Sequence, residues 1–344
     1  PSRLLIMKNK VISCVLLLCV VISSYVSFKV YRSYVQQYYL ITDLNDNNWN
    51  SRSWEFVESI ETDIPNLSLT ALPLKAMKAQ YFLYNDSILS GLDLIEETIR
   101  ERANPYIMFP EAVKAKLFTA VGDIDSSYYY SRKAYDNLPR NAFHFAELSR
   151  TLSAVKEYDS ITHFFKPIKY SPDEQIWKIY LASITNYIDV IQDKDFAIET
   201  AYEALEIFPN QKDVLIAAYF VIHGKENTTR ALELENEGRD LFDQKLYNEA
   251  LEVYKEADSL LGSNYVFKEN IASSYFNLKD WGQTINNLVF VENQKHDLDG
   301  LQNYMLGLSY FNLGDKSSSC GRLQQSIEQG FTESSNAWNI LCNF

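Results

Sequence analysis

The sequence predicts an all-α protein, an α-solenoid of stacked helical hairpins that follows one N-terminal transmembrane helix. Three observations lead to this fold class. The chain has only 11 Gly and 9 Pro in 344 residues, which is sparse for an all-β protein that needs frequent turns. Small and aromatic residues recur in a fixed order about every 34 residues. One stretch near the N-terminus runs for 18 residues without a charge.

The uncharged stretch extends from Val11 to Phe28 and is long enough to cross the core of a bilayer. Lys8 and Lys10 precede it, and Lys29 and Arg32 follow it. Because basic residues flank it on both sides, they do not set its orientation. We expect residues 1–40 to form a retained membrane anchor with its span at about 11–28.

A cleavable signal peptide is the alternative for this segment. It would begin at Met7 and end near Ser23, Ser24 or Ser27, since small residues mark such cleavage sites. The chain also begins with Pro-Ser-Arg instead of an initiator Met. Either Met7 is the true start, or the sequence is the tail of a longer protein.

The remaining residues divide by repeat phase. Residues 41–70 are expected to form a linker and a capping helix, and 71–210 an N-terminal array of hairpins. Residues 211–229 break the register, and His223–Asn227 is predicted to be a loop within this junction. Residues 230–344 form a C-terminal array.

The clearest repeat unit begins near Ala231. Gly238, Ala250, Tyr254 and Ala257 follow in an order typical of a tetratricopeptide (TPR) hairpin. Gly238 and Ala250 have almost no side chain, so two helices can approach closely there. Tyr254 is expected to fill the space between this hairpin and the next.

Other units repeat these features in phase. The C-terminal array continues through Ile271, Ala272, Tyr275, Trp281 and Leu288, and then through Leu306, Gly307, Tyr310, Gly314 and Leu323. The N-terminal array contains units around Ala79 and Gly91, around Ala115, Gly122 and Ala134, around Phe145 and Tyr158, and around Ala197, Ala201 and Ala204. The sequence therefore predicts TPR-like hairpins along most of the chain.

Charge is distributed unevenly between the anchor and the rest of the chain. Residues 1–40 hold five of the 32 basic residues and none of the 45 acidic ones, which leaves a net charge of −18 on the remainder. A surface this acidic repels phosphate backbones, so we do not expect nucleic acid as a partner.

The residues that usually carry chemistry do not form a recognisable site. The histidines are His144, His163, His223 and His296, and none is spaced from a carboxylate on one helix face as metal ligands are. Gly-rich phosphate loops and hydrolase motifs are absent from the sequence. We therefore expect no catalytic, cofactor or metal site in this chain.

Two of the four cysteines lie in the apolar stretch, and Cys320 and Cys342 lie near the C-terminus. The latter two could form a disulfide in an oxidising compartment or remain two buried free thiols.

A partner-binding groove is predicted on the first helices of the C-terminal hairpins, where side chains at fixed repeat positions face the inner surface of such an array. Its residues are Glu235, Arg239, Phe242, Glu269, Phe276, Asn277, Tyr304, Phe311 and Asn312. Phe beside Asn suits an extended peptide or a sugar chain, because aromatic faces cover C–H surface and amides pair with polar groups. The alternative is that these Phe pack between neighbouring first helices.

Two parts of the sequence point to a family. One comprises Pro105–Glu111 and Gly122–Ser131, and the other comprises Ser23–Tyr39 leading into Ile64–Ser68. Over roughly residues 1–210 the chain resembles the C-terminal repeat region of bacterial O-antigen ligase and polymerase family membrane proteins. The resemblance implies a preceding multi-pass glycosyl-transfer unit that holds the reactive Arg and His groups, and no residue of this chain matches them.

These observations lead to two functional hypotheses. The first is a repeat scaffold, tethered to the inner membrane and facing the periplasm, that binds a protein or glycan partner beside a surface-polysaccharide enzyme. The second is a free-standing, membrane-anchored adaptor for protein–protein assembly. An enzyme acting through its own side chains is disfavoured.

Overall fold

A computed structural model describes residues 2–84, 87–170, 173–262, 265–294 and 297–342. Within these ranges the chain is helical, and its extended pairing is limited to a single bridge between Leu67 and Pro73. The predicted all-α fold class is confirmed. Contacts between backbone positions divide the chain into two compact units, residues 1–171 and 172–344.

The first unit begins with a long helix and continues with shorter ones. Its helices are α1 (Ser2–Asn45), α2 (Trp54–Ser59), α3 (Leu74–Ala79), α4 (Ile88–Glu101), α5 (Phe109–Val121), α6 (Ile124–Asn137), α7 (Ala142–Ala154) and α8 (Tyr158–Phe165). Leu40 of α1 and Val57 of α2 share one buried apolar cluster with Met77, Ile95 and Leu117. Helix α2 lies within residues 41–70, where the sequence predicts a linker and a capping helix, and its Val57 packs into this cluster. The role of this segment as a cap stays a prediction.

The second unit consists of helices α9 (Glu174–Ile184), α10 (Lys194–Ile207), α11 (Lys212–Asp243), α12 (Tyr247–Leu260), α13 (Tyr265–Asn277), α14 (Trp281–Asn293), α15 (Gly300–Asn312), α16 (Lys316–Glu328) and α17 (Glu333–Leu341). The second half of α11 pairs with α12, α13 with α14, and α15 with α16. The first of these hairpins packs against the second and the second against the third, and α17 packs against α16. The unit therefore has the TPR-like arrangement that the sequence predicts.

Five of the turns between paired helices share one backbone geometry. In each of these five, a residue with positive φ is followed by a residue whose N–H donates to the carbonyl five positions earlier, at 2.9–3.0 Å. The positive-φ residues are Gly122, Lys156, Lys245, Lys279 and Gly314. This arrangement satisfies carbonyl groups at the end of the first helix and reverses the chain within a few residues. The same turn geometry thus recurs in successive repeats.

Close helix approach depends on the small residues that the sequence singled out. A Cβ atom built on Gly238 would lie 2.5 Å from Cε1 of Tyr254, and one on Gly307 would lie 2.7 Å from Cγ of Leu323. Ala250 and Ala257 are fully buried beside them. The predicted role of these positions in helix packing is confirmed.

Helix α1 is longer than the predicted anchor. It continues without interruption past residue 40 to Asn45, and its segment Ile12–Asn45 is long and apolar enough to cross a membrane. Beyond the apolar stretch one face of α1 contacts the rest of the first unit. Gln36 Nε2 donates to the Ser59 carbonyl at 2.8 Å, and the side chain of Arg52 makes two hydrogen bonds to Asp43. These contacts join the apolar segment to the first unit through a single helix.

The loop predicted over His223–Asn227 is wrong. The chain is helical on both sides of Gly224, which alone adopts a non-helical conformation, with φ 81° and ψ 167°. Thr228 Oγ1 donates to the Tyr219 carbonyl at 3.1 Å, although nine residues of straight helix would extend about 13.5 Å. Helix α11 therefore bends sharply at one glycine, and its two halves pack in a common cluster that contains Leu215 and Ala231.

The C-terminal cysteines form a disulfide, which resolves the alternative left open by the sequence. Cys320 of α16 is bonded to Cys342, 22 positions later, with their Cα atoms 5.7 Å apart. The bond ties the end of α17 to the preceding helix.

The predicted arrays over 71–210 and 230–344 are defined by the phase of the sequence repeat and not by contacts in the structure. Their boundaries stay a prediction.

We expect Gly238→Ala to lower the free energy of unfolding by about 1–3 kcal/mol, because the added methyl group would overlap the Tyr254 ring. Gly321→Ala is the matched control, since this helical glycine has no atom within 4 Å of its would-be Cβ. The control should gain about 0.5–1 kcal/mol from the better helix former. Denaturant unfolding followed by circular dichroism measures both. Equal effects of the two substitutions would contradict the tight contact.

Candidate partner-binding groove

The nine predicted groove residues lie on the first helices of three consecutive hairpins. Helix α11 carries Glu235, Arg239 and Phe242; helix α13 carries Glu269, Phe276 and Asn277; helix α15 carries Tyr304, Phe311 and Asn312. Helices α13 and α15 pack against each other, so their equivalent positions are neighbours. What these side chains could bind depends on how far each one is exposed.

The groove phenylalanines are half-buried. The Phe242 ring contacts Tyr247 edge-to-face, with ring centroids 5.2 Å apart, and Phe276 contacts Trp281 in the same way at 5.6 Å. Each partner is the first residue of the second helix in the same hairpin. In the third hairpin Lys316 occupies the equivalent position. The rings of Phe242 and Phe276 therefore contribute to hairpin packing as well as to the surface.

Exposed amides stand beside two of these rings. Asn277 Nδ2 donates to the Ser273 carbonyl, and Asn312 Nδ2 donates to the Leu308 carbonyl, both at 2.8 Å. Because the NH₂ groups bond to their own helices, the amide oxygens can still accept hydrogen bonds from outside. Such a surface suits a partner that presents N–H or O–H donors next to apolar groups.

The charged groove residues are paired with one another or at least partly buried. Glu235 is buried and lies 3.6 Å from the exposed Arg239 guanidinium, which also donates to Asn236. Burial raises the pKa of Glu269 to about 7, and the nearby Asp299 carboxylate adds to this effect, whereas a hydrogen bond with Gln302 opposes it. Glu269 thus changes its charge near neutral pH.

A pocket between α9 and the first half of α11 was missed in the sequence. Its volume is 440 Å³, and its lining combines the apolar residues Ile216 and Phe220 with the basic residues Lys178 and Lys225. Lys178 also forms an ion pair with Asp213. The sequence predicted a loop at the junction and therefore gave no sign of this pocket. The pocket exists because the segment after α10 is a helix, α11, that contacts α9.

Three of the four histidines lie within the described residues, on α7, α8 and α11. His144 is buried in α7, and burial lowers its pKa to about 4, so it is neutral at physiological pH. His296 lies outside the described residues. Among the residues that the structure describes, no group of three or more His, Cys, Asp or Glu side chains could hold a metal ion.

Comparison with known proteins gives no close relative. No family model and no curated protein matches the chain. A tetratricopeptide repeat protein from Parabacteroides merdae aligns with a TM-score of 0.36 and 11% identity over 76% of this chain and 94% of that chain.

Two further solved structures align over 78% of this chain. The APC/C hetero-tetramer Cut9–Hcn1 has a TM-score of 0.33 and 15% identity, and the alignment covers 55% of that chain. The human IFIT1 dimer with m7Gppp-AAAA has a TM-score of 0.30 and 13% identity, with 62% of that chain covered. Similarities this low transfer no function.

The raised pKa of Glu269 gives a pH-dependent stability. A carboxyl group with a raised folded-state pKa stabilises the fold below its unfolded pKa of about 4.5 and loses that contribution as pH rises through about 7. We expect Glu269→Gln to raise the free energy of unfolding at pH 8 by about 1–3 kcal/mol, reduced by solvent screening because the group is partly exposed. At pH 4 the variant and the parent should be nearly equal.

Thermal unfolding at the two pH values tests this expectation. Glu249→Gln on α12 is the control, because Glu249 is exposed. If Glu269→Gln and Glu249→Gln shift the unfolding temperature equally, burial of the Glu269 carboxyl is not the cause of the pH-dependent stability.

Proposed function

We propose that this protein is a membrane-tethered TPR-like scaffold that binds an extended segment of a partner protein on the first helices of its C-terminal hairpins. One observation carries the proposal. The half-buried Phe276 and Phe311 each stand next to an exposed asparagine whose amide oxygen is available as an acceptor, on two helices that pack against each other. Alternating apolar and acceptor groups suit the side chains and backbone N–H groups of an extended peptide.

The charge of the chain restricts the partner further. The residues beyond 40 carry a net charge of −18. Neutral or basic segments would approach such a surface more readily than acidic ones, because like charges repel during encounter. A nucleic acid is disfavoured for the same reason.

We place α1 in a membrane and the C-terminal hairpins in an oxidising compartment. The exposed apolar face of α1 supports the first part. The Cys320–Cys342 disulfide supports the second, since disulfides persist outside reducing compartments. In a bacterium with two membranes these two properties together fit an inner-membrane anchor with a periplasmic repeat region.

We also propose that the scaffold works beside a surface-polysaccharide enzyme, as the tail of an O-antigen ligase-like protein. The resemblance of residues 105–111 and 122–131 to that family supports this context. A nascent glycan is then a second candidate for the groove, because phenylalanine faces and amide oxygens also suit sugar rings and hydroxyl groups. Catalysis would belong to the multi-pass unit that the resemblance implies.

Photocrosslinking in living cells tests the groove. We expect a benzophenone side chain at Asn312 to form a specific protein adduct, whereas the same group at Asn286, exposed on the second helix α14, should not. Adding Phe311→Ala should reduce the adduct about tenfold, equivalent to about 1.4 kcal/mol of binding free energy. A glycan partner would appear instead as an adduct that shifts after glycosidase treatment.

The combined variant Phe276→Ala and Phe311→Ala separates binding from folding. If the rings serve the groove, partner capture is lost while helicity and cooperative unfolding are retained. Loss of cooperative unfolding would show that both rings are core residues and would remove the basis for the groove. Trp281→Leu, which changes the contact behind Phe276 but no groove residue, is the matched control.

The compartment is tested by thiol labelling. In cells carrying Cys14→Ser and Cys19→Ser, we expect the purified chain to react with maleimide only after reduction, because Cys320 and Cys342 are bonded to each other. Two equivalents of label without reductant would place the hairpins in a reducing compartment.

A further inference from the structure

Beyond the apolar stretch, α1 has an inverted distribution of polarity. The face that contacts the first unit carries Ser33, Gln36, Gln37 and Asp43, all less than 9% exposed. In a water-soluble helix the buried face is normally the apolar one. Here these polar groups occupy most of the protein contact, beside the buried Leu40, and they are satisfied by hydrogen bonds. Gln37, for example, accepts the Leu69 N–H at 2.9 Å.

The opposite face of the same segment is apolar and aromatic. Tyr31, Tyr34, Val35 and Tyr38 recur at helical spacing on it and are 42–70% exposed. Exposed apolar area of this kind is costly in water. Tyrosine is, however, the residue that proteins place where a bilayer meets water, because its ring is apolar and its hydroxyl can reach the polar layer.

The charges of this segment point away from the aromatic face. Lys29 pairs with Glu61, and Arg32 Nη2 donates to the Ser59 carbonyl at 3.2 Å, so both bind the first unit. The aromatic face is consequently continuous with the uncharged stretch before it. From Ile12 to Tyr38 a straight helix extends about 39 Å, close to the full bilayer thickness of about 40–45 Å with its headgroups.

A second element contributes to the aromatic face. Leu69 lies in the loop before α3, its backbone is held by Gln37, and its side chain is 71% exposed. Leu69 lines a shallow apolar groove of 560 Å³ together with Tyr34, Val35 and Tyr38. An exposed leucine fixed beside a tyrosine stripe extends the apolar surface from the helix onto the loop.

We propose that the first unit lies directly against the bilayer, with Leu69 and the Tyr31–Tyr38 face of α1 in the interfacial layer. The occupant of the 560 Å³ groove is then lipid at the headgroup–acyl boundary. The argument for lipid is the unbroken, uncharged continuity of this face with the membrane-spanning stretch. The inference rests on the membrane anchor of the proposed function. It goes beyond that function, because an anchor alone does not require the first unit to contact the lipid surface.

Depth-dependent quenching tests the proposal. Three variants of the full chain are made, each with one free cysteine: Leu69→Cys, Tyr38→Cys, or the native Cys19. In each variant the other free cysteines are replaced by serine, and the Cys320–Cys342 disulfide is kept. Each is labelled with an environment-sensitive fluorophore and reconstituted in phosphatidylcholine–phosphatidylglycerol vesicles. We expect blue-shifted emission at positions 69 and 38 that is lost mainly to quenchers near the headgroups, and emission at Cys19 that is lost mainly to deep quenchers.

Leu89→Cys is the matched control. Leu89 is 73% exposed, much as Leu69 is, but it lies at the start of α4. The far end of α4 leads to Asn104, which bonds the Ala71 carbonyl beside the Leu69 loop. Leu89 is therefore about 20 Å from that loop along the helix axis, and its label should show water-like emission without quenching.

The possible failures are distinguishable. Quenching at Cys19 without quenching at position 69 would overturn the proposal and leave the anchor intact. No quenching at any position would overturn the anchor as well. A blue shift at position 69 that resists lipid quenchers and disappears on dilution with empty vesicles would show that a second copy of the chain covers this face, and would also overturn the proposal.

Discussion

The hairpins of this protein depend on the absence of side chains where two helices cross. At Gly238 the Tyr254 ring occupies the space that a Cβ would need, and at Gly307 Leu323 does the same. Fully buried alanines continue these contacts along the helices. Because interiors are packed as densely as organic crystals, a single added methyl group at such a crossing cannot be absorbed without displacement. The distance between helices, and with it the position of every outward-facing side chain on the first helices, follows from these few residues.

Sequence periodicity was sufficient to predict the helical hairpins, because the same small residues that permit close packing also mark the repeat. It failed where the local residue types indicate one structure and the tertiary packing produces another. His223–Asn227 contains a glycine and several polar residues, which normally indicate a loop, yet Gly224 alone makes the reversal and Thr228 satisfies the Tyr219 carbonyl. The pairing of Cys320 with Cys342 could not be chosen from sequence either, since it depends on how α17 returns to α16.

The candidate groove was only partly predictable. The repeat phase correctly assigns Phe276 and Asn277 to a first helix, but it does not reveal that Trp281, five residues later, covers one side of the Phe276 ring. The polar side chains Gln36 and Gln37 would be assigned to solvent by any hydropathy pattern. They are buried because the surrounding loops offer the matching donors and acceptors, which only the three-dimensional arrangement supplies.

The uninterrupted course of α1 has a mechanical consequence. A membrane-spanning helix adjusts to bilayer thickness by tilting, and a flexible linker would isolate an attached domain from that motion. Here the hydrogen bonds at Gln36 and Asp43 hold the first unit to the same helix that carries the apolar stretch. In the membrane-anchored arrangement that we propose, a change in the tilt of that stretch would be transmitted as an equal rotation of the unit, so that lipid composition would be a variable that sets its orientation.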